Sequence, residues 1–158
     1  EFVFEFLTQY DNGYLNELNQ LFMQKVIRPQ MRPKGFEAIK KHQDLGHAIV
    51  GITATSDFIT APIFREFGIT EIIATNAEVL NGKYTGKVTG VACYQQGKLV
   101  RLDQWLDGRD VTESWAYSDS INDRFLLEYA SHAIAVNPDE RLQTLAQEKN
   151  WQIQDWSL

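Results

Sequence analysis

Three clusters of polar residues follow short apolar runs and contain the side chains that bind phosphate and divalent cations. They are residues 53–57, 118–123 and 137–139, and Gly97-Lys98 lies between the first two. Mg²⁺ takes one or two carboxylates together with phosphate oxygens and water. Hydroxyls beside a helix N-terminus suit a phosphate, and a lysine adds a compact positive charge. These residue types therefore indicate metal-assisted chemistry on a phosphate group.

Helix capping is the competing interpretation of each cluster, because Ser, Thr, Asp and Asn are the preferred N-cap residues. For Asn137-Pro138-Asp139 we infer no more than a cap. Asp119 and Asp123 lie four residues apart with Asn122 beside the second, and a cap needs only one oxygen. Their number therefore favours a cation. Lys98, taken alone, is typical of a solvated surface lysine.

The elements that must position these residues alternate between strand and helix from residue 48 onward. Asn81-Gly82 and Thr89-Gly90 flank a predicted hairpin. The pattern predicts an α/β layer with a mainly parallel sheet, in which ligands bind beyond the carboxyl ends of the strands. The predicted strands are 48–52, 71–74, 115–117 and 133–136, and the predicted helices are 34–45, 58–67, 99–106, 124–129 and 140–149.

The first 26 residues are aromatic and amphipathic, and two structures fit them. Leu15, Leu18 and Phe22 recur at helical spacing, whereas Phe2, Phe4 and Phe6 alternate as in a strand. The sequence leaves helix and strand open for the opening residues.

Composition excludes several classes of function. The 158 residues carry 15 Lys+Arg against 21 Asp+Glu, a net charge of -6, so the basic footprint of a nucleic-acid-binding protein is absent. No apolar run approaches the roughly 18 residues of a membrane span. Cys93, the single cysteine, cannot form an internal disulfide, and one cysteine is too few for the usual structural zinc sites, which have two to four. We expect a cytoplasmic protein without nucleic-acid or membrane partners.

The order hydroxyl, lysine, acidic cluster resembles the haloacid dehalogenase-like phosphatases, most closely their phosphoserine-phosphatase-like branch. Residues 51–58 are similar to that family's second motif, a strand ending in Ser or Thr, and Gly97-Lys98 to its third. Residues 117–123 resemble the fourth motif, Gly-Asp-x-x-Asn-Asp, with Ser118 in place of the glycine. The resemblance extends over the chain from Ile27 onward.

The resemblance implies a fold and a division of the chain. Residues 27–158 would form a Rossmann-like three-layer α/β/α core with a mainly parallel sheet. Residues 1–26 would be the remnant of a helical cap.

The resemblance also implies a role for each site residue. Thr53, with the backbone amides of Ala54 and Thr55, would hold the transferring phosphoryl group. Lys98 would neutralise charge on the phosphate and on the nucleophile. The acidic cluster would supply the metal site, with Asp119 as a Mg²⁺ ligand. Asn122 and Asp123 would orient that ligand or Lys98 without binding the metal themselves. In this scheme Thr53 and Lys98 are the catalytic residues.

The family's first motif, Asp-x-Asp-x-Thr, carries the nucleophile and does not occur in these 158 residues. Its nearest counterpart, residues 8–13, has Gln9 in the nucleophile's position and is more typical of a turn at Asn12-Gly13 or a loop between helices. We therefore expect a chain that lacks the family's first strand and is inactive as it stands. The exposed sheet edge would then be filled by residues 2–6 as a strand, covered by another copy of the chain, or removed by a rearranged sheet. Of these we favour self-association with another copy.

Two functions remain open at this point. The complete protein would be a Mg²⁺-dependent phosphomonoesterase acting on a small phosphorylated metabolite such as phosphoserine. Alternatively, it would be a non-catalytic phosphate- or metal-binding regulatory protein on the same fold.

Overall fold

The computed structural model describes residues 2–158 and divides into two compact units, the first ending at Cys93 and the second beginning at Tyr94. The α-helices are α1 (Asn12–Phe22), α2 (Pro33–Asp44), α3 (Asp57–Glu66), α4 (Gln96–Leu106), α5 (Arg124–Tyr129) and α6 (Glu140–Glu148). The strands are β1 (Val50–Ser56), β2 (Glu71–Leu80), β3 (Lys83–Thr89), β4 (Trp115–Ser118), β5 (His132–Val136) and β6 (Gln152–Gln154). No described helix is long and apolar enough to cross a membrane.

The first unit contains a three-stranded sheet in the order β1-β2-β3. β1 and β2 are parallel, and β2 and β3 form an antiparallel hairpin. The hairpin turns at Asn81 and Gly82, whose φ angles are 51° and 75°. A two-residue type I′ turn requires positive φ at both central residues. The predicted hairpin is therefore confirmed, and both β1 and β2 extend beyond the predicted apolar runs into polar residues.

The second unit contains a parallel sheet in the order β4-β5-β6. Its core is formed by Leu127, Ala135, Leu142 and Ala146, each at most 1% exposed. β6 was not predicted, because Gln152–Gln154 is short and carries no apolar run. Three of the four strand pairings in the described residues are parallel, which confirms an α/β fold with a mainly parallel sheet.

The amino-terminal segment is helical, which resolves the alternative that its alternating phenylalanines left open. A 3-10 helix covers Phe2–Gln9 and buries Phe4 and Leu7. Residues three apart share a face of a 3-10 helix, so this spacing suits that geometry. Both side chains join the buried Leu15 of α1 and pack against Phe58, Ala77 and Tyr84. Glu1 lies outside the described residues, and the assignment of residues 1–26 to a cap remnant stays a prediction.

Of the two alternatives for residues 8–13, the structure has the loop between helices, because the 3-10 helix ends at Gln9 and α1 begins at Asn12. Asn12 and Gly13 belong to the first turn of α1 and form no separate turn. Asp11 caps that helix by accepting a 3.0 Å hydrogen bond from the amide of Tyr14. A short polar residue before a helix satisfies an otherwise unpaired amide, and this local bond decides between turn and helix.

Close packing of α3 against β1 positions the end of that strand. A Cβ atom at Gly51 would lie 2.5 Å from the ring of Phe64. Only glycine therefore allows the α3 side chain to approach the strand so closely.

Candidate active site

The acidic loop, residues 118–123, begins where β4 ends and is held by hydrogen bonds of its own. The Ser118 hydroxyl donates to Oδ2 of Asp123 at 2.8 Å and accepts from the amide of Ser120 at 3.2 Å. Ser118 stands where the family motif has glycine. The motif resemblance did not predict the contact between Ser118 and Asp123. The serine in place of the motif's glycine was the signal in the sequence that could have indicated it.

Lys98 lies near the start of α4 and is only 6% exposed. Its ammonium group forms an ion pair with Oδ1 of Asp123, whose side chain is 17% exposed. A buried ammonium group is costly unless it is paired, and Asp123 supplies that partner. The interpretation of Lys98 as a solvated surface lysine is therefore wrong. Asp123 thus contacts Lys98, and its role in orienting that residue or the metal ligand stays a prediction.

Asp119 and Asn122 are exposed at the surface of the acidic loop. The backbone carbonyl of Asp119 accepts a 2.8 Å hydrogen bond from the amide of Asp139. In the described part of the chain no group of three or more His, Cys, Asp or Glu side chains could hold a metal ion. An exposed carboxylate fits Mg²⁺ as one ligand among waters and phosphate oxygens, and Asp119 meets that requirement.

Asp139 caps α6, as predicted, and also contacts the acidic loop. Its Oδ1 accepts from the amide of Leu142 and its Oδ2 from the amide of Ile121, both at 2.8 Å. These backbone hydrogen bonds, led by that of Ile121, lower the pKa of Asp139 below its usual value. The carboxylate is thus held in its charged form between two segments.

The first polar cluster lies in the other unit, at the end of β1. Thr53 is half-buried, and its hydroxyl accepts from the amide of Thr55 at 3.2 Å. The carbonyl of Ala54 accepts from the hydroxyl of Thr75 at 2.8 Å. Ala54 and Thr55 are exposed. Ser56, rather than a threonine, caps α3 by accepting from the amide of Phe58 at 3.2 Å.

Asp57 has a structural role that the sequence did not indicate. Its Oδ1 accepts from the amides of Phe58 at 2.8 Å and Ala77 at 3.3 Å, and its Oδ2 accepts from the side chain of Asn76. These bonds tie the start of α3 to β2. Burial and the Asp57 charge together raise the pKa of the Tyr84 phenol.

The structure thus brings together Lys98, Asp123 and Ser118 within the second unit. Thr53, Ala54 and Thr55 belong to the first unit. Their role in holding a phosphoryl group stays a prediction.

Residues 1–128 match the family model described as haloacid dehalogenase-like hydrolase. The chain belongs to this family. The match covers the lysine and the whole acidic loop, so the family resemblance based on those motifs is confirmed.

Curated relatives of the chain carry phosphatase names. A histidinol-phosphatase from Neisseria meningitidis serogroup C is 38% identical over 93% of this chain and 69% of its own length. A phosphoserine phosphatase from Mycobacterium tuberculosis is 37% identical over 77% of this chain and 40% of its own length. The chain therefore spans well under half of the mycobacterial relative.

A solved structure agrees with the fold over nearly the whole chain. A Bordetella pertussis protein of unknown function is 38% identical and superimposes with a TM-score of 0.90. The superposition covers 95% of this chain and 70% of that protein.

Proposed function

We propose that the protein containing this chain is a Mg²⁺-dependent phosphomonoesterase. The observation that carries the proposal is the buried Lys98–Asp123 ion pair, with the exposed Asp119 four residues before Asp123 on the same acidic loop. A hydrolase family and phosphatase-named relatives support the same reaction. An ion pair that served only to stabilise the fold would account for Lys98 and Asp123, but not for an exposed carboxylate on the same loop.

Each residue has a role that phosphoryl transfer needs, because this reaction depends mainly on positioning and electrostatic stabilisation. Asp123 holds the Lys98 ammonium group in place, and Ser118 fixes the other oxygen of that carboxylate. Lys98 neutralises charge on the phosphate. The assignment of Thr53, with the amides of Ala54 and Thr55, to the phosphoryl group rests on the family resemblance and stays a prediction. Asp119 is a ligand for Mg²⁺, which when bound supplies positive charge to the phosphoryl oxygens.

We propose small amino-alkyl phosphates as the substrate class. The relatives named histidinol-phosphatase and phosphoserine phosphatase share one substrate chemistry. Histidinol phosphate and phosphoserine are both phosphate esters of a primary alcohol with an amino group on the adjacent carbon. This shared group, rather than either compound alone, is the feature we expect the protein to recognise.

The 158 residues by themselves are expected to be inactive or nearly so. They contain no Asp-x-Asp-x-Thr sequence, which in this family supplies the attacking carboxylate. Phosphate-monoester hydrolysis is among the slowest uncatalysed reactions, with enzymatic accelerations of up to about 10²¹. Lys98 and Asp119 cannot supply that acceleration without a nucleophile.

The test compares this chain with the polypeptide expressed from its complete reading frame. Phosphate release would be measured from an aryl phosphate, histidinol phosphate and phosphoserine, with and without Mg²⁺. We expect turnover only in the complete polypeptide with Mg²⁺. Asp119→Asn should abolish it, and Asp110→Asn, an exposed control outside the acidic loop, should not.

Two other results would change the assignment. Turnover by the 158-residue chain would mean that it contains a nucleophile and that the expected inactivity is wrong. Phosphate or Mg²⁺ binding without turnover in the complete polypeptide would favour the non-catalytic regulatory protein, which the missing first motif also suggests.

A further inference from the structure

Asp139 makes more contacts with the acidic loop than a helix cap requires. One carboxylate oxygen accepts from Leu142 in the first turn of α6, and the other accepts from the amide of Ile121. The Asp139 amide in turn donates to the carbonyl of Asp119 at 2.8 Å. We propose that Asp139 is a positioning residue that fixes the loop backbone and so aims the Asp119 carboxylate. This inference rests on the proposed metal-binding role of Asp119.

Capping alone does not explain the arrangement. Asp11, the cap of α1, accepts from the amide of Tyr14. Asp139 instead divides its two oxygens between its own helix and a segment 18 residues earlier in the chain. The second oxygen and the backbone amide therefore serve the loop rather than α6.

The segment that carries Asp139 is itself anchored. Leu142 and Ala146 of α6 are fully buried in the core of the second unit. Just before Asp139, the side-chain carbonyl of Asn137 accepts from the amide of Trp156 at 2.8 Å. Core packing and the carboxyl-terminal segment thus hold the backbone around Asp139 in place. The hydrogen bonds of Asp139 can therefore restrain the acidic loop.

The restraint acts on the peptide unit that directly follows the proposed metal ligand. The carbonyl of this unit belongs to Asp119 and accepts from the amide of Asp139, and its amide belongs to Ser120 and donates to the hydroxyl of Ser118. The Asp119 side chain therefore projects from a backbone whose next peptide plane is held at both of its polar groups. Groups that orient a metal ligand commonly change metal affinity about 10- to 100-fold when they are removed.

Asp139→Asn separates the two roles, because Asn caps helices about as well as Asp. Its single carbonyl oxygen can serve α6 but not also the amide of Ile121. Asp11→Asn is the matched control, since it changes the same residue type at a cap that contacts no acidic loop. Both variants would be made in this chain and in the complete polypeptide.

Mg²⁺ binding would be followed through the amide resonances of residues 118–121, and the Mg²⁺ dependence of phosphate release would be measured in the complete polypeptide. For Asp139→Asn we expect both Mg²⁺ midpoints to rise about 10-fold or more. The urea midpoint should stay near that of the parent, and hydrogen exchange at Ile121 should become faster. Asp11→Asn should leave both Mg²⁺ midpoints unchanged.

The outcomes distinguish this inference from the proposed function. A Mg²⁺ response in the parent protein that Asp139→Asn leaves unchanged would overturn the positioning role alone. No Mg²⁺ response in the parent of either length would overturn the metal role of Asp119, and the inference with it. If Asp139→Asn lowered the urea midpoint enough to explain its whole effect on the Mg²⁺ midpoints, Asp139 would be a helix cap and not a positioning residue.

Discussion

Lys98 and Asp123 form an ion pair that is largely removed from water. An ammonium group that is almost fully buried needs a charged partner, and the half-buried Asp123 provides it with a second bond from Ser118. We therefore expect the pair to affect stability as well as the proposed chemistry. Another ion pair, Lys40–Asp44, has side chains that are 73% and 63% exposed.

Replacing Lys98 by Met should destabilise the second unit by about 3 kcal/mol, because it leaves Asp123 without its partner. All four tryptophans, at positions 105, 115, 151 and 156, lie in that unit, so tryptophan fluorescence during urea unfolding reports on it directly. Lys40→Met is the matched control and should change stability by less than about 1 kcal/mol.

Adding Asp123→Asn to the Lys98→Met variant should recover much of the lost stability, since the unpaired charge is then removed. An equal effect of the Lys98 and Lys40 replacements would show that burial of the pair does not matter for folding.

At the scale of the elements, the end of α2 combines a helix stop with a pair of histidines. Gly46 has a φ of 73°, and the amide of His47 donates to the carbonyl of His42 at 3.0 Å. The two Nδ1 atoms are 2.9 Å apart. A hydrogen bond between two imidazoles needs one nitrogen without a proton, so it is lost when both rings are charged. Burial, His47 and Lys41 all lower the pKa of His42.

This lowered pKa predicts how the stability of the first unit depends on pH. The folded chain binds a proton at His42 less readily than the unfolded chain, whose pKa is near 6.5. The stabilising contribution is therefore complete above about pH 6.5 and is lost as the pH falls through the folded pKa. His42→Gln should flatten this part of the curve, measured by urea unfolding and circular dichroism between pH 7.5 and 5. The same slope in the variant and the parent would contradict the assignment.

At the scale of the whole molecule, each three-stranded sheet has two edge strands among the described residues, and β1 and β4 are one edge of each. β1 pairs with β2, and β4 pairs with β5. Unpaired strand edges favour association with another chain. The amino-terminal helical segment also exposes large apolar side chains, including Phe6, Tyr10, Leu18 and Leu21 at 39–46%.

We therefore predict that the 158-residue chain associates with itself in solution. Size-exclusion chromatography with light scattering should give a mass above 18.2 kDa that grows with concentration. A mass that stays at the monomer value up to the highest soluble concentration would argue against association through these edges.

The sequence by itself determined the features that depend on neighbouring residues. The end of α2 near Gly46, the turn at Asn81-Gly82 and helix α5 follow from local backbone preferences, which act over a few residues. The order of the hydroxyl, lysine and acidic motifs was likewise sufficient to place the chain in its family. The short, polar β6 had no such local signal.

Only the tertiary structure decided which of the polar residues touch. The motif resemblance linked Asp123 to Asp119 or Lys98 without choosing between them, and it did not link Asp139 to the acidic loop. Lys98 contacts a residue 25 positions away, and Asp139 contacts the amide of one 18 positions away. No periodicity or capping preference predicts such pairs, because they form only when sheet and helix packing bring distant segments into contact. Burial gives the Lys98–Asp123 pair its importance, since a charge removed from water must find a partner and an exposed one need not.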